Sequence, residues 1–74
     1  MQNSKHPQFP QLRQSIQANF IWRNALDSGL EIMGILTVKE YVIVLSITKG
    51  WAEIVTSTGV NGFIALEHLT DVSR

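Results

Sequence analysis

His68 beside Glu67 is the one place in this chain where a histidine and a carboxylate adjoin, the minimal equipment for general acid–base chemistry. Adjacent residues on a short turn need not face each other, and a satisfied surface or groove histidine is the expected role for His68. No nucleophile accompanies it. Cysteine is absent, and the serines fall in turns or strands outside any nucleophile motif. His6 has no partner at ligand spacing, so no metal site is expected from His6 and His68. The glycines are dispersed at turns instead of forming a phosphate loop. Asp27 and Glu31 flank a loop, and isolated loop carboxylates are more often solvated than functional. The sequence therefore predicts a protein that is not an enzyme and that carries no cofactor and no metal.

Charge narrows the partners. Six Lys and Arg offset six Asp and Glu, and they are scattered from Lys5 to Arg74 without a basic stripe. Nucleic-acid binding, which needs clustered cations, is not expected. A net charge of zero also does nothing to repel one copy from another. The opening MQNSKHPQFPQ lacks an apolar core, so neither a signal peptide nor a membrane span is read there.

A chain of 74 residues makes one small domain. It buries only about 60% of the surface its unfolded form exposes, so stability is marginal. Without cysteine, disulfides and thiolate metal sites cannot supplement it. Residues 1–18 are read as an N-terminal arm, disordered or carrying a short helix over LRQSIQ, where Leu12 and Ile16 stand at i, i+4 spacing; a strand is the competing assignment. Residues 19–74 are read as a β-domain. Its predicted strands are Asn19–Asn24, Leu30–Val38, Tyr41–Ile47, Trp51–Thr56, Gly62–Ala65 and a last short one within Thr70–Ser73. Turns fall at Ala25–Gly29, Thr48–Gly50 and Ser57–Asn61, and Leu66–His68 reads as a single helical turn. Short, evenly spaced strands without a long helix indicate a small barrel or sandwich.

Alternation along YVIVLSI sets Val42, Val44 and Ser46 on one face and Tyr41, Ile43, Leu45 and Ile47 on the other. Both faces are apolar, although a strand with one wet face should be polar on one parity. With Val42 and Val44 inside, Ile43, Leu45 and Ile47 require a cover. A strand at a barrel corner, the N-terminal arm and another protein are the candidates.

The stretch from Phe20 to Leu69 resembles the bacterial SH3-like (SH3b) domain family. FIWRNALDSGLEIMGIL, with Arg23 and Gly34, stands where that family has a first strand, an Arg, a loop and an Ile-Gly step. YVIVLSITKGWAEI resembles its hydrophobic strand, polar turn and Gly-Trp. GVNGFIALEHL resembles its Gly-aromatic-aliphatic closing segment and helical turn. The resemblance implies an all-β, SH3-like barrel of five to six short strands. It also implies a shallow groove for an extended ligand at Trp51, Phe63 and His68, with Asp27 and Glu31 as an acidic rim. Ala52 is small where the family often carries an aromatic, and His68 stands where Tyr is usual, which makes the groove poorer in aromatics.

The expected function is a non-catalytic interaction module that binds a protein or extended peptide, an accessory subunit of a bacterial envelope assembly. The alternatives are a self-associating structural subunit, or a module that targets peptidoglycan. Family resemblance favours the periplasm or cell envelope if an export signal has been removed, and otherwise the cytoplasm.

Overall fold

The computed structural model describes residues 9–24 and 31–72. The arm before residue 9, the loop that holds Asp27, and Ser73 lie outside them. The described residues hold seven strands: β1 (Gln11–Ser15), β2 (Asn19–Trp22), β3 (Ile32–Leu36), β4 (Tyr41–Thr48), β5 (Trp51–Thr56), β6 (Asn61–Ala65) and β7 (Leu69–Asp71). A 3₁₀ turn at Leu66–His68 separates the last two, as the sequence predicts. The all-β class is therefore observed, as one antiparallel sheet in the order β3-β2-β6-β5-β4-β1-β7.

The additional strand is β1. The segment favoured as a helix from Leu12 and Ile16 is extended, and it pairs with β4 on one side and β7 on the other. Two apolar residues at helical spacing cannot hold a helix of one or two turns. Two ladders of backbone hydrogen bonds can hold a strand, so tertiary pairing decides the conformation.

Side chains that point inward from six of the seven strands make the core: Ile21, Leu36, Val42, Val44, Ala52, Ile54, Ile64 and Leu69, each at 5% exposure or less. Burying one Ile, Leu or Val contributes about 1.5–3 kcal/mol. Leu36 and Leu69 come from opposite ends of the strand order yet share this cluster, so the sheet curls on itself. Ser15 ties the curl. Its buried hydroxyl donates to the Thr37 carbonyl and accepts the Glu40 N–H at 3.1 Å. A buried hydroxyl with neither bond would cost roughly 1–3 kcal/mol.

Two glycines serve the geometry. Lys49 (φ 52°) and Gly50 (φ 82°) form the two-residue link from β4 to β5. Two left-handed residues in succession give the turn whose twist matches the flanking strands. At Gly62 the need is space, because a Cβ there would lie 2.5 Å from Ile21 Cγ2 and 2.8 Å from the Trp22 carbonyl oxygen. The close approach of β2 to β6, which pair antiparallel at Trp22 and Phe63, therefore requires a residue without a side chain.

The alternation expected along β4 holds only for its first half. Val42 and Val44 point inward and Ile43 outward, but the register with β5 shifts between Val44 and Ser46. Leu45 is the extra residue of a β-bulge, which resets the phase. Ser46 then faces outward opposite Glu53, while Ile47 lies opposite Ala52 and packs against the core. Ile43, Leu45 and Ile47 do not form one face. Ser46 likewise leaves the side of Val42 and Val44.

A candidate binding face on the outer side of the sheet

Ile54 and Ile64 point inward, so Trp51, Glu53 and Val55 on β5 and Asn61, Phe63 and Ala65 on β6 point outward. Trp51 is in register with Ala65, and Glu53 with Phe63. Trp51 and Phe63 are thus diagonal neighbours on one face, a separation of roughly 7–8 Å that aromatic side chains can span. The N–H of Leu66 donates to the Gly50 carbonyl at 2.8 Å, fixing the 3₁₀ turn against the β4–β5 turn. Gly50, Trp51, Ala65, Leu66 and Glu67 line an open hollow of about 580 Å³ there.

The aromatic surface continues onto β2. Trp22 is in register with Phe63, and its ring meets Phe20 edge-on with centroids 5.9 Å apart. Phe20 pairs in turn with Ile35 of β3, and the two help line a second hollow of about 300 Å³ with Ala18 and Asn19. Sequence reasoning assigned Phe20, Trp22 and Ile35 no binding role. The signal was the parity of NFIW, in which Phe20 and Trp22 flank an inward Ile21.

His68 adjoins Glu67, which lines the hollow beside Trp51. Its ring Nε2 lies 3.9 Å from Glu67 Oε2, and its carbonyl accepts the Ile16 N–H at 2.9 Å. Its side chain retains 24% exposure. Glu31 is exposed and ion-paired with Arg23 at 3.5 Å, so its charge is already offset locally. Asp27, its partner in the expected acidic rim, lies outside the described residues. Ala52 is not a depleted groove position. It points inward and is fully buried, where an aromatic side chain would not fit.

The other half of the outer face is aliphatic. Leu12, Ile43 and Val55 sit side by side across β1, β4 and β5, and Tyr41 joins them around a hollow of about 170 Å³. The N-terminal strand does not cover this surface. It pairs edge to edge with β4 and adds Leu12 to it. Leu45 is 41% exposed and Ile43 38% exposed. Between the two halves, Glu53 carries long hydrogen bonds from Ser46 (3.5 Å) and Asn61 (3.4 Å).

No protein-family model, curated protein or solved structure matches this chain. The surface must be interpreted by its chemistry. Among the described residues, no three metal-ligating side chains cluster, and no helix is long and apolar enough to cross a membrane. Four aromatic rings on adjacent strands, with the carboxylates of Glu53 and Glu67 at their margin, present flat apolar faces on which an extended chain could stack.

Proposed function

We propose that this chain is a non-catalytic, SH3-like interaction module that binds a protein or extended peptide partner along the outward aromatic row Phe20–Trp22–Phe63–Trp51. The observation that carries the proposal is the shared face of Trp51 and Phe63 beside the hollow under the 3₁₀ turn. What supports the SH3-like part of this reading is the left-handed turn at Lys49–Gly50 ahead of Trp51 and the close backbone approach at Gly62. Half-buried aromatics on a solvent-facing surface gain most when a ligand completes their burial, and such residues dominate binding energies.

The test is an array of extended peptides, from proline-rich to cationic, read by fluorescence of the two tryptophans. Trp51→Ala and Phe63→Ala should each weaken a bound peptide by at least about tenfold. Unchanged affinity in both variants would rule out this face. Co-sedimentation with purified peptidoglycan, lost in the same variants, would identify the wall peptide as the ligand.

A further inference from the structure

The aromatic face carries a charge of its own. On the outward sides of β2, β5 and β6, Glu53 is the one charged side chain among Phe20, Trp22, Trp51, Val55, Asn61, Phe63 and Ala65. It stands two residues from Trp51 on the same face of β5 and directly opposite Phe63 of β6. A second carboxylate comes from the 3₁₀ turn. Glu67 follows Ala65, the residue opposite Trp51, and lines the hollow with that ring, its side chain 79% exposed.

Among the described residues, neither carboxylate is paired with a Lys or an Arg. Glu53 accepts long contacts from the neutral Ser46 and Asn61. Glu67 has His68 Nε2 at 3.9 Å, a partner that is cationic only when protonated. Of the cations nearby, Arg23 follows Trp22 but is engaged by Glu31, and Lys49 is exposed in the turn ahead of Gly50. A chain of zero net charge therefore gathers two acceptor-only groups around one tryptophan ring.

We propose that the occupant of this face is an extended peptide with a basic side chain, its cation held over the Trp51 ring within reach of Glu53 and Glu67. The proposal rests on the aromatic row being the binding face, and adds the class of ligand. Tryptophan is the best ring for a cation, which it attracts within about 6 Å of its centroid. Same-face neighbours along a strand are about 6.5–7 Å apart, so a cation over Trp51 lies close to Glu53. An arginine suits the site best, because its planar guanidinium stacks on a ring and donates to a carboxylate at once. An uncharged segment would cover the rings but partly desolvate both carboxylates without pairing them. An acidic segment would be repelled.

The test is titration of the full chain with one end-blocked, proline-containing host peptide that bears Arg, Lys or Gln at its centre and no other charge. Tryptophan fluorescence and calorimetry read the binding. The Arg peptide should bind about tenfold tighter than the Gln peptide, with Lys between them. Glu53→Gln and Glu67→Gln should each weaken the Arg peptide roughly three- to tenfold and leave the Gln peptide unchanged. The double variant should bind all three alike. Glutamine at 53 still accepts from Ser46 and Asn61, and an unchanged thermal midpoint shows the variants folded. Arg and Gln peptides that bind equally, both weakened by Trp51→Ala, would overturn the cation subsite and keep the aromatic face. An Arg preference that survives in the double variant would place the cation elsewhere and overturn the subsite too. Binding of no peptide, or binding indifferent to Trp51→Ala and Phe63→Ala, would overturn both.

Discussion

The two faces of this sheet are similar in composition and opposite in circumstance. Inside, Ile21, Val42, Val44, Ile54, Ile64 and their neighbours are sealed from water by the curl of the sheet. Outside, Phe20, Ile35, Tyr41, Ile43 and Leu45 are between 38% and 62% exposed. The inner face holds the fold, and the outer face contributes little until something covers it. Hydrophobicity alone does not distinguish them. What distinguishes them is which side of each strand the curl encloses, and that depends on Gly62, the Leu45 bulge and the Ser15 tie.

The largest effect should come from the same substitution made once on each face. Ile54→Ala removes a fully buried side chain and leaves a cavity, a loss of about 2–5 kcal/mol. A domain of this size has roughly 4–11 kcal/mol in all, so much of the stability goes. Ile43→Ala, at 38% exposure, should cost less than about 1 kcal/mol. Urea denaturation of the two variants measures the difference directly. Equal losses would mean that the outer face is already covered in solution, and would erase the distinction.

A smaller contrast compares two glycines. Gly62→Ala places a methyl against the fully buried Ile21 and the Trp22 backbone, neither of which can move aside. A cost of about 1–3 kcal/mol is expected. At Gly34 the nearest atom to a Cβ is Val60 Cγ1 at 3.4 Å, an ordinary contact. Gly34→Ala should be neutral to slightly stabilising, since alanine loses less backbone freedom on folding. Thermal midpoints of the pair decide it; a tolerated Gly62→Ala would mean that the β2–β6 approach is looser than the geometry requires.

Much of this architecture was legible in the sequence. The strand Trp51–Thr56, the helical turn at Leu66–His68 and the turn ending at Gly50 each depend on local residue chemistry. The outward parity of Trp51 and Phe63 is the alternation that turns Ile54 and Ile64 inward. Two things could not be read locally. β1 is extended because β4 and β7 flank it, and no pattern within LRQSIQ records those neighbours. The bulge at Leu45 is invisible because Leu45-Ser46-Ile47 reads equally well in either phase. One extra residue there moved Ile47 from the surface to the core. Trp22 was missed for a simpler reason: its strand was recognised, but its parity was not followed across to Phe63.

The smallest effect bears on that bulge. If Leu45 only adds an outward residue, deleting it leaves Val44 inward, Ser46 opposite Glu53 and Ile47 opposite Ala52. The remaining alternation is then regular, and no buried side chain changes sides. The loss should stay near 1 kcal/mol, arising from reduced local twist and offset by removal of an exposed leucine. Amide hydrogen exchange and cross-strand NMR contacts between Ile47 and Ala52 report the register. If Ile47 loses those contacts, or unfolding ceases to be cooperative, the bulge is required for the curl itself. The boundary between the covered and uncovered faces would then be set by one residue of β4, not by the hydrophobic pattern of the strand.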